Sequence, residues 1–476
     1  MALSNLRQFC ALGKQKRHKK FAIGLEKVAK LFSIAKNGVY YTVTFCLFCR
    51  FDCSMVRRRV VVTGMGVVAP QCRSLAELWN LLISGGNAIR PYNGFGLISL
   101  ASPADFDGHI SAFHSQDPAQ EKAIRKSLKV MSREIQMAVA ASCRALNEAG
   151  IQMGQLPSDR IGISFGSDYI LTTPEDVLDG IRSCITDGQF DFSCWGTAGL
   201  PKMTPLWQLK YLPNMPASHI AILNDFHGPS NSITLREASI GAVVGESVEI
   251  IASGRADVMV VGTTGSRLHL IKLLHAKQQE ELTETACRPF DAHRDGTILG
   301  EGAGALILED KEHAEKRGAN CWAEIVGGSY RCRFSRAGQD FRRETVRAVL
   351  EQVLHKGETS PEQIGHINAH GLGSKSSDNA EAAGILDVFG KRKKPIPVTA
   401  AKGCFGNLGA GSGTIELITG ILALRNRTLY PTLNFASADS SCPISVVQSA
   451  DVPAGNSFVK IAMNMQGQVS AVLVRL

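Results

Sequence analysis

The strongest constraint on the fold is a rhythm of short, continuously apolar runs. They are RVVVTGMG from Arg59, RIGISFGS from Arg160, ADVMVVG from Ala256, GALILED from Gly304, AEIVGG from Ala323, HINAHG from His366 and IPVTAAK from Ile396, with SFVKIAMNM and SAVLVRL closing the chain. Runs without polar alternation suit strands buried on both faces. Between them lie segments with apolar residues at helical spacing. Residues 121–150 read as one such helix ending at Gly150, ETVRAVLEQVLHKG ends at Gly357 and NAEAAGILDVFG at Gly390, each glycine being a natural stop. Strand–helix alternation implies α/β layers, with helices covering a mainly parallel sheet.

The pattern begins abruptly at Met55, with MVRRRVVVTGMGVVAP. Residues 1–54 stand apart as a basic extension. They hold ten Lys or Arg against two acids, leaving 42 against 41 in the rest of the 476-residue chain. They lack the small-residue cleavage site of a secretory signal. They are expected to be poorly ordered, with Met55 as the true start. The basic balance belongs to that extension, so the body gives no reason for a nucleic-acid groove. No run of about 18 apolar residues marks a membrane span. The 13 cysteines are scattered, CLFC at 46–49 lacks histidine partners, and reduced thiols in a cytoplasmic protein are the expectation. Neither metal nor cofactor is implied.

Two stretches share one plan. Ile233–Thr234, a turn at Glu237 and a helix from Ala238 to Ser253 are echoed by VTAAK, the glycine-rich turn GCFGNLGAGSG and the helix TIELITGILALRN. Two similar halves, 55–310 and 311–476, would place both turns near a shared cleft. Residues 168–208 are a long excursion between core elements, expected as a lid or a dimer contact.

Several segments resemble the β-ketoacyl-acyl carrier protein synthases of fatty-acid and polyketide assembly: RRRVVVTGMGVVAP, RIGISFGS, GPSNSIT, GRADVMVVG, RPFDAHRDGTILGEGAGALILEDKEHAEKRGA, INAHG, AAKG and IELITGILALRN. Their order is right and they span nearly all of 57–476. The resemblance implies the thiolase fold, a five-layered αβαβα architecture of two similar halves, with acyl carrier protein as partner. It also implies a homodimer, or a heterodimer with an intact ketosynthase. The RPFD–RDG block reads as structural, with Asp291, Arg294 and Asp295 as a salt-bridge set and Gly300, Gly302 and Gly304 permitting close packing.

That family carries a cysteine nucleophile at the turn after GPS, where a helix N-terminus stabilises thiolate charge. Here Glu237 stands at that position. His370 matches the first family histidine and Lys402 the family lysine. Asn407 falls where elongating members place a second histidine, and no histidine follows His370. The family's glycine-rich end loop, with its gatekeeper phenylalanine and an oxyanion-hole amide, reads MQGQVSA here. Cys404 reads as a small buried residue.

A glutamate is a poor nucleophile toward a thioester, because its product is a hydrolysis-prone mixed anhydride. Ionised, it would repel a malonyl carboxylate; only a protonated one would resemble the glutamine of decarboxylating relatives. Burial raises its pKa and the helix end lowers it, so the sequence leaves the sign open. A general-base role is chemically permissible. Loss of chemistry is the fourth option, with Glu237 a satisfied buried carboxylate paired with Lys402 or His370. Three departures at separated positions favour a condensation-deficient partner subunit, with a malonyl-thioester decarboxylase or other acyl-thioester enzyme as the alternative.

Overall fold

The computed structural model describes residues 57–115, 118–333 and 340–476. The chain divides into Met1–Val56 and Arg57–Leu476. The expectations for residues 1–54 and for CLFC lie outside the described residues.

Each apolar run is a strand. The first half contributes β1 (Val60–Val68), β2 (Ile161–Ser167), β3 (Ser230–Ile233), β4 (Val258–Ser266) and β5 (Glu301–Asp310). The second contributes β6 (Ala323–Cys332), β7 (His366–Asn368), β8 (Pro397–Thr399), β9 (Ser457–Met463) and β10 (Gln468–Arg475). All of β1, β4 and β5 is buried, which explains the lack of polar alternation. The order across the sheet is β3-β2-β4-β5-β1-β6-β10-β9-β7-β8, with a short edge strand, Ser445–Val446, beyond β8.

That order is one pattern written twice. In the first half β2 pairs in parallel with β3 and β4, while β4–β5 and β5–β1 are antiparallel. In the second, β7 pairs in parallel with β8 and β9, while β9–β10 and β10–β6 are antiparallel. The copies meet at an antiparallel seam of β1 and β6, registering Val60 with Ile325, Val61 with Glu324 and Val62 with Ala323. The sheet is therefore mixed, where a mainly parallel one was expected. Apolar runs report burial of both faces and not strand direction.

The helices repeat too. They are α1 (Arg133–Ala149), α2 (Met215–Asn224) and α3 (Ser239–Ala252), then α4 (Arg342–Lys356), α5 (Lys375–Phe389) and α6 (Gly411–Asn426). Helices α1 and α2 cover the outer face of the first half, and α4 and α5 that of the second. Between the halves lie α3, against β2, β4, β6 and β10, and α6, against β4, β5 and β9. The result is the expected five-layered thiolase-like architecture. Helix α6 is buried on every side from Gly411 to Leu424, as a central layer requires.

Residues 121–150 are not one helix. Pro118–Ser127 and a 3₁₀ turn, Leu128–Val130, precede α1. Met131 is extended and the Ser132 side chain accepts from the Ile135 amide, starting α1 afresh. A serine hydroxyl at that position competes with helix continuation. The 168–208 excursion contains the helix Pro174–Arg182 and a small hairpin. It exposes Phe192 at 74% and Leu206 at 68%.

Candidate active site

The strand ends deliver the candidate residues to one place. Chain β3 runs into a single 3₁₀ turn, Arg236–Ala238, which opens directly into α3. Arg236 has a left-handed backbone, φ 53°, which costs a residue with a Cβ roughly 1–2 kcal/mol. The turn is braced: the Leu235 amide donates to Ser239 Oγ at 3.0 Å and Asn464 Nδ2 to the Leu235 carbonyl at 3.1 Å. This geometry seats Glu237 at the head of a central helix, 3% exposed.

Glu237 Oε1 accepts from Asn407 Nδ2 at 3.1 Å and from Arg267 Nη1 at 3.2 Å. The expected pairing with Lys402 or His370 does not occur. Arg267 directly follows β4 and Asn407 lies in the turn before α6, so both halves grip the carboxylate. Arg267 Nη2 continues to Glu280 Oε1 at 2.6 Å, which also receives Arg236 Nη2 at 3.2 Å. Asp168, just past β2, lies 3.9 Å from Arg236 Nε. Burial pulls the Glu237 carboxyl up, but the Arg236 and Arg267 guanidiniums outweigh it and hold the pKa below its ordinary value. Glu237 is therefore an anion, which resolves the sign left open by the sequence.

His370 follows β7 and is 2% exposed. Lys402 Nζ donates to its carbonyl at 2.8 Å and stands 3.2 Å from its Nδ1. An ammonium donating to Nδ1 leaves the ring proton on Nε2. Burial first, then Lys402, Lys460 and Arg342, hold His370 well below the usual histidine range, so it is neutral. Lys402 is fully buried behind it, 2.5 Å from Glu416 Oε1, and Lys460 is 2.5 Å from Glu416 Oε2.

Two carboxylates one turn apart on α5 clamp the loop that carries His370. Glu381 accepts from the His370 amide at 2.6 Å and the Gly371 amide at 2.8 Å. Asp378 accepts from Leu372 at 2.9 Å and Phe290 at 2.8 Å.

Glu237, His370 and Asn407 line one narrow cleft with Arg236, Glu280, Ser377 and the hairpin residues Met463 and Asn464. Lys402 touches the cleft only through His370. MQGQVSA forms the tight β9–β10 hairpin in place of an open loop. The amides of Asn464, Gln466, Gly467 and Gln468 all bond within that turn, to Gln468 O, Asn464 Oδ1, Asn464 O and Asn464 Oδ1. None of these four is free to hold an oxyanion. Cys404 is buried and its thiol pushed up to about 12 by burial, so it is no thiolate. Residues 174–208 contribute nothing to the cleft lining.

The RPFD–RDG block needs a correction. Asp291 accepts backbone amides from His293, Ala436 and Ser437. Arg294 pairs with Asp439 at 2.6 Å, and Asp295 meets Arg288 at 3.6 Å. The three form no ion pair with one another; Arg294 Nη1 instead donates to the Asp291 backbone carbonyl at 2.7 Å. The glycines do permit close packing: a Cβ on Gly302 would stand 2.9 Å from Val68 O, and one on Gly304 2.9 Å from Thr414 Cβ.

Sequence reasoning missed Arg236, Arg267, Glu280, Asp168, Asp378 and Glu381. One had a readable signal, since Asp168 directly follows the run RIGISFGS that becomes β2, where sites of open α/β sheets gather.

Among the described residues no helix is long and apolar enough to cross a membrane, and no cluster of three or more potential metal ligands occurs. Residues 57–314 match the family model described as "Beta-ketoacyl synthase, N-terminal domain" and residues 322–436 its C-terminal domain. A similar protein is 3-oxoacyl-[acyl-carrier-protein] synthase 2 of Coxiella burnetii, 27% identical over 419 residues, covering 85% of this chain and 96% of that protein. Another is the oxytetracycline polyketide putative beta-ketoacyl synthase 1 of Streptomyces rimosus, 28% identical, with 88% and 97% covered. Among solved structures, the ishigamide ketosynthase/chain length factor aligns with a TM-score of 0.75 at 25% identity, covering 88% of this chain and 99% of that one.

Proposed function

The chain belongs to the β-ketoacyl synthase family, and from that membership we propose that it is a condensation-deficient member acting in the cytoplasm on carrier-bound acyl chains. In this reading it is a partner subunit of an intact ketosynthase in fatty-acid or polyketide assembly, with acyl carrier protein as the partner of its cleft. The repeated strand order supports dividing it into halves 55–310 and 311–476. One observation carries the reading: the nucleophile position holds an ionised Glu237 gripped by Arg267 and Asn407. A carboxylate tied up in this way is neither a thiolate-like nucleophile nor a leaving group. The likeness to the ishigamide ketosynthase/chain length factor supports the heterodimer. The roles assigned to Glu237, His370, Asn407 and Lys402 are part of the proposal.

Malonyl decarboxylation, the alternative, is disfavoured by the same anion. Two like charges about 4 Å apart repel by about 4 kcal/mol at an effective dielectric near 20, and the malonyl carboxylate would have to sit beside Glu237.

The test is intact mass after incubation with acyl- and malonyl-loaded carrier protein. The expected result is no acyl adduct on the chain and no β-ketoacyl product. A stable adduct sinks the reading. Glu237→Cys alone is expected to yield no condensation product, because the amides of Asn464, Gln466, Gly467 and Gln468 stay committed and Asn407 replaces the second histidine. Product from that single variant, seen by mass spectrometry of the carrier, would show that cysteine loss is the whole defect.

A further inference from the structure

Glu237 has two oxygens in very different states. Oε1 is filled by Arg267 and Asn407. Oε2 is buried and has no hydrogen-bond partner in the protein, and the same holds for Arg236 Nε. The two atoms lie 3.7 Å apart, too far for a direct hydrogen bond. A buried carboxylate oxygen left without a donor is destabilising, so the site favours a small group that accepts from Nε and donates to Oε2. Water does both, and a polar site with at least two partners is where a buried water is held. Neutral His370 lines the same cleft with its proton on Nε2 and can donate to a carbonyl oxygen.

We propose that this cleft hydrolyses carrier-bound acyl thioesters, with a water held by Glu237 Oε2 standing where other family members have a cysteine. The inference rests on the reading above that the cleft still admits a carrier thioester. The water oxygen forms a C–O bond to the thioester carbonyl carbon while Glu237 takes one of its protons. His370 Nε2–H bonds the carbonyl oxygen as it becomes negative. The C–S bond then breaks, the sulfur leaves with the electron pair, and the proton on Glu237 returns to it. Free carboxylic acid and free thiol are the products, and the enzyme is unchanged. Repulsion by Glu237 makes uncharged acyl thioesters the substrate class and excludes malonyl thioesters.

The experiment incubates the full chain with hexanoyl-loaded and malonyl-loaded carrier protein in ¹⁸O-water, following thiol release and intact masses. Thiol release above background is expected from the hexanoyl carrier and not from the malonyl carrier. One ¹⁸O should enter hexanoic acid and none the peptide containing Glu237. The rate should stay flat from pH 8 to about 5, because a carboxyl held below its ordinary value of 4.5 remains the base throughout. Glu237→Gln, checked for folding by its melting curve, should lose about 10²-fold or more, the usual contribution of a positioned general base. Background-level release by the wild-type chain overturns the inference and leaves the condensation-deficient reading standing. A β-ketoacyl product overturns that reading. ¹⁸O in Glu237 would show attack by the carboxylate itself, and a folded, fully active Glu237→Gln would remove the base; either result overturns the mechanism. The ¹⁸O readout needs no variant, so it stands even if Glu237→Gln does not fold.

Discussion

Glu416→Gln is expected to lower the unfolding free energy by about 3–5 kcal/mol, the usual consequence of removing one partner from a buried ion pair. Glu416 lies in the buried stretch of α6 and its two oxygens meet Lys402 and Lys460, both fully buried, at 2.5 Å. The amide keeps the volume and removes the anion, leaving two cations facing each other without water. Lys460 is already held below its usual range, chiefly by burial, with Glu416 pulling the other way. Adding Lys460→Met should recover part of the loss, because one cation then remains where two had stood. The measurement is urea denaturation with unchanged m, so that midpoints report stability. A single variant within about 1 kcal/mol of wild type would mean that the lysines shed their charge once Glu416 is gone. The same substitution should disturb His370, whose Nδ1 faces Lys402 Nζ.

The second large effect is steric. A Cβ on Gly411 would stand 2.1 Å from Gly302 O and 2.8 Å from Gly302 C, with Gly265 N at 3.3 Å. These are backbone atoms of β5 and β4, so no side chain can swing away. Gly411→Ala must push the start of α6 off the sheet, which puts it at or beyond the upper end of the ~1–3 kcal/mol typical of overpacking. The preceding turn carries Asn407, so the Glu237–Asn407 contact should loosen as well. Gly196→Ala is the matched control, since a Cβ there meets nothing within 4 Å, and it should change stability by no more than about 0.5 kcal/mol. Equal urea midpoints for the two variants would mean that the helix yields more easily than the geometry implies.

Both effects lie in parts of the molecule that the sequence exposed unevenly. The apolar runs located the strands because burial on both faces leaves a compositional trace. Strand direction leaves none, so the antiparallel β9–β10 and β4–β5 joins were invisible. GPSNSIT and AAKG pointed to Glu237 and Lys402, because a short motif beside a turn is local information. The partners of Glu237 were not legible. Arg267 and Glu280 lie 30 and 43 residues downstream of it in the chain, and only the packing of the strand ends makes them neighbours. The ionisation of Glu237 depends on those neighbours, so no motif could have decided it. The break at Met131 and Ser132 was a matter of one hydroxyl competing with a helical hydrogen bond in an otherwise periodic stretch.

The seam between β1 and β6 joins two copies of one eight-element unit, and the inner helix of each copy packs on strands of both. Helix α3 of the first leans on β6 and β10 of the second, and α6 of the second on β4 and β5 of the first. In effect the chain is an obligate heterodimer whose subunits are tethered through Lys311–Trp322, the tether fixing their effective concentration. The cleft sits at that internal interface, because Glu237 and Arg267 come from one copy and His370, Lys402 and Asn407 from the other. Partial unfolding of either copy therefore dismantles the cleft.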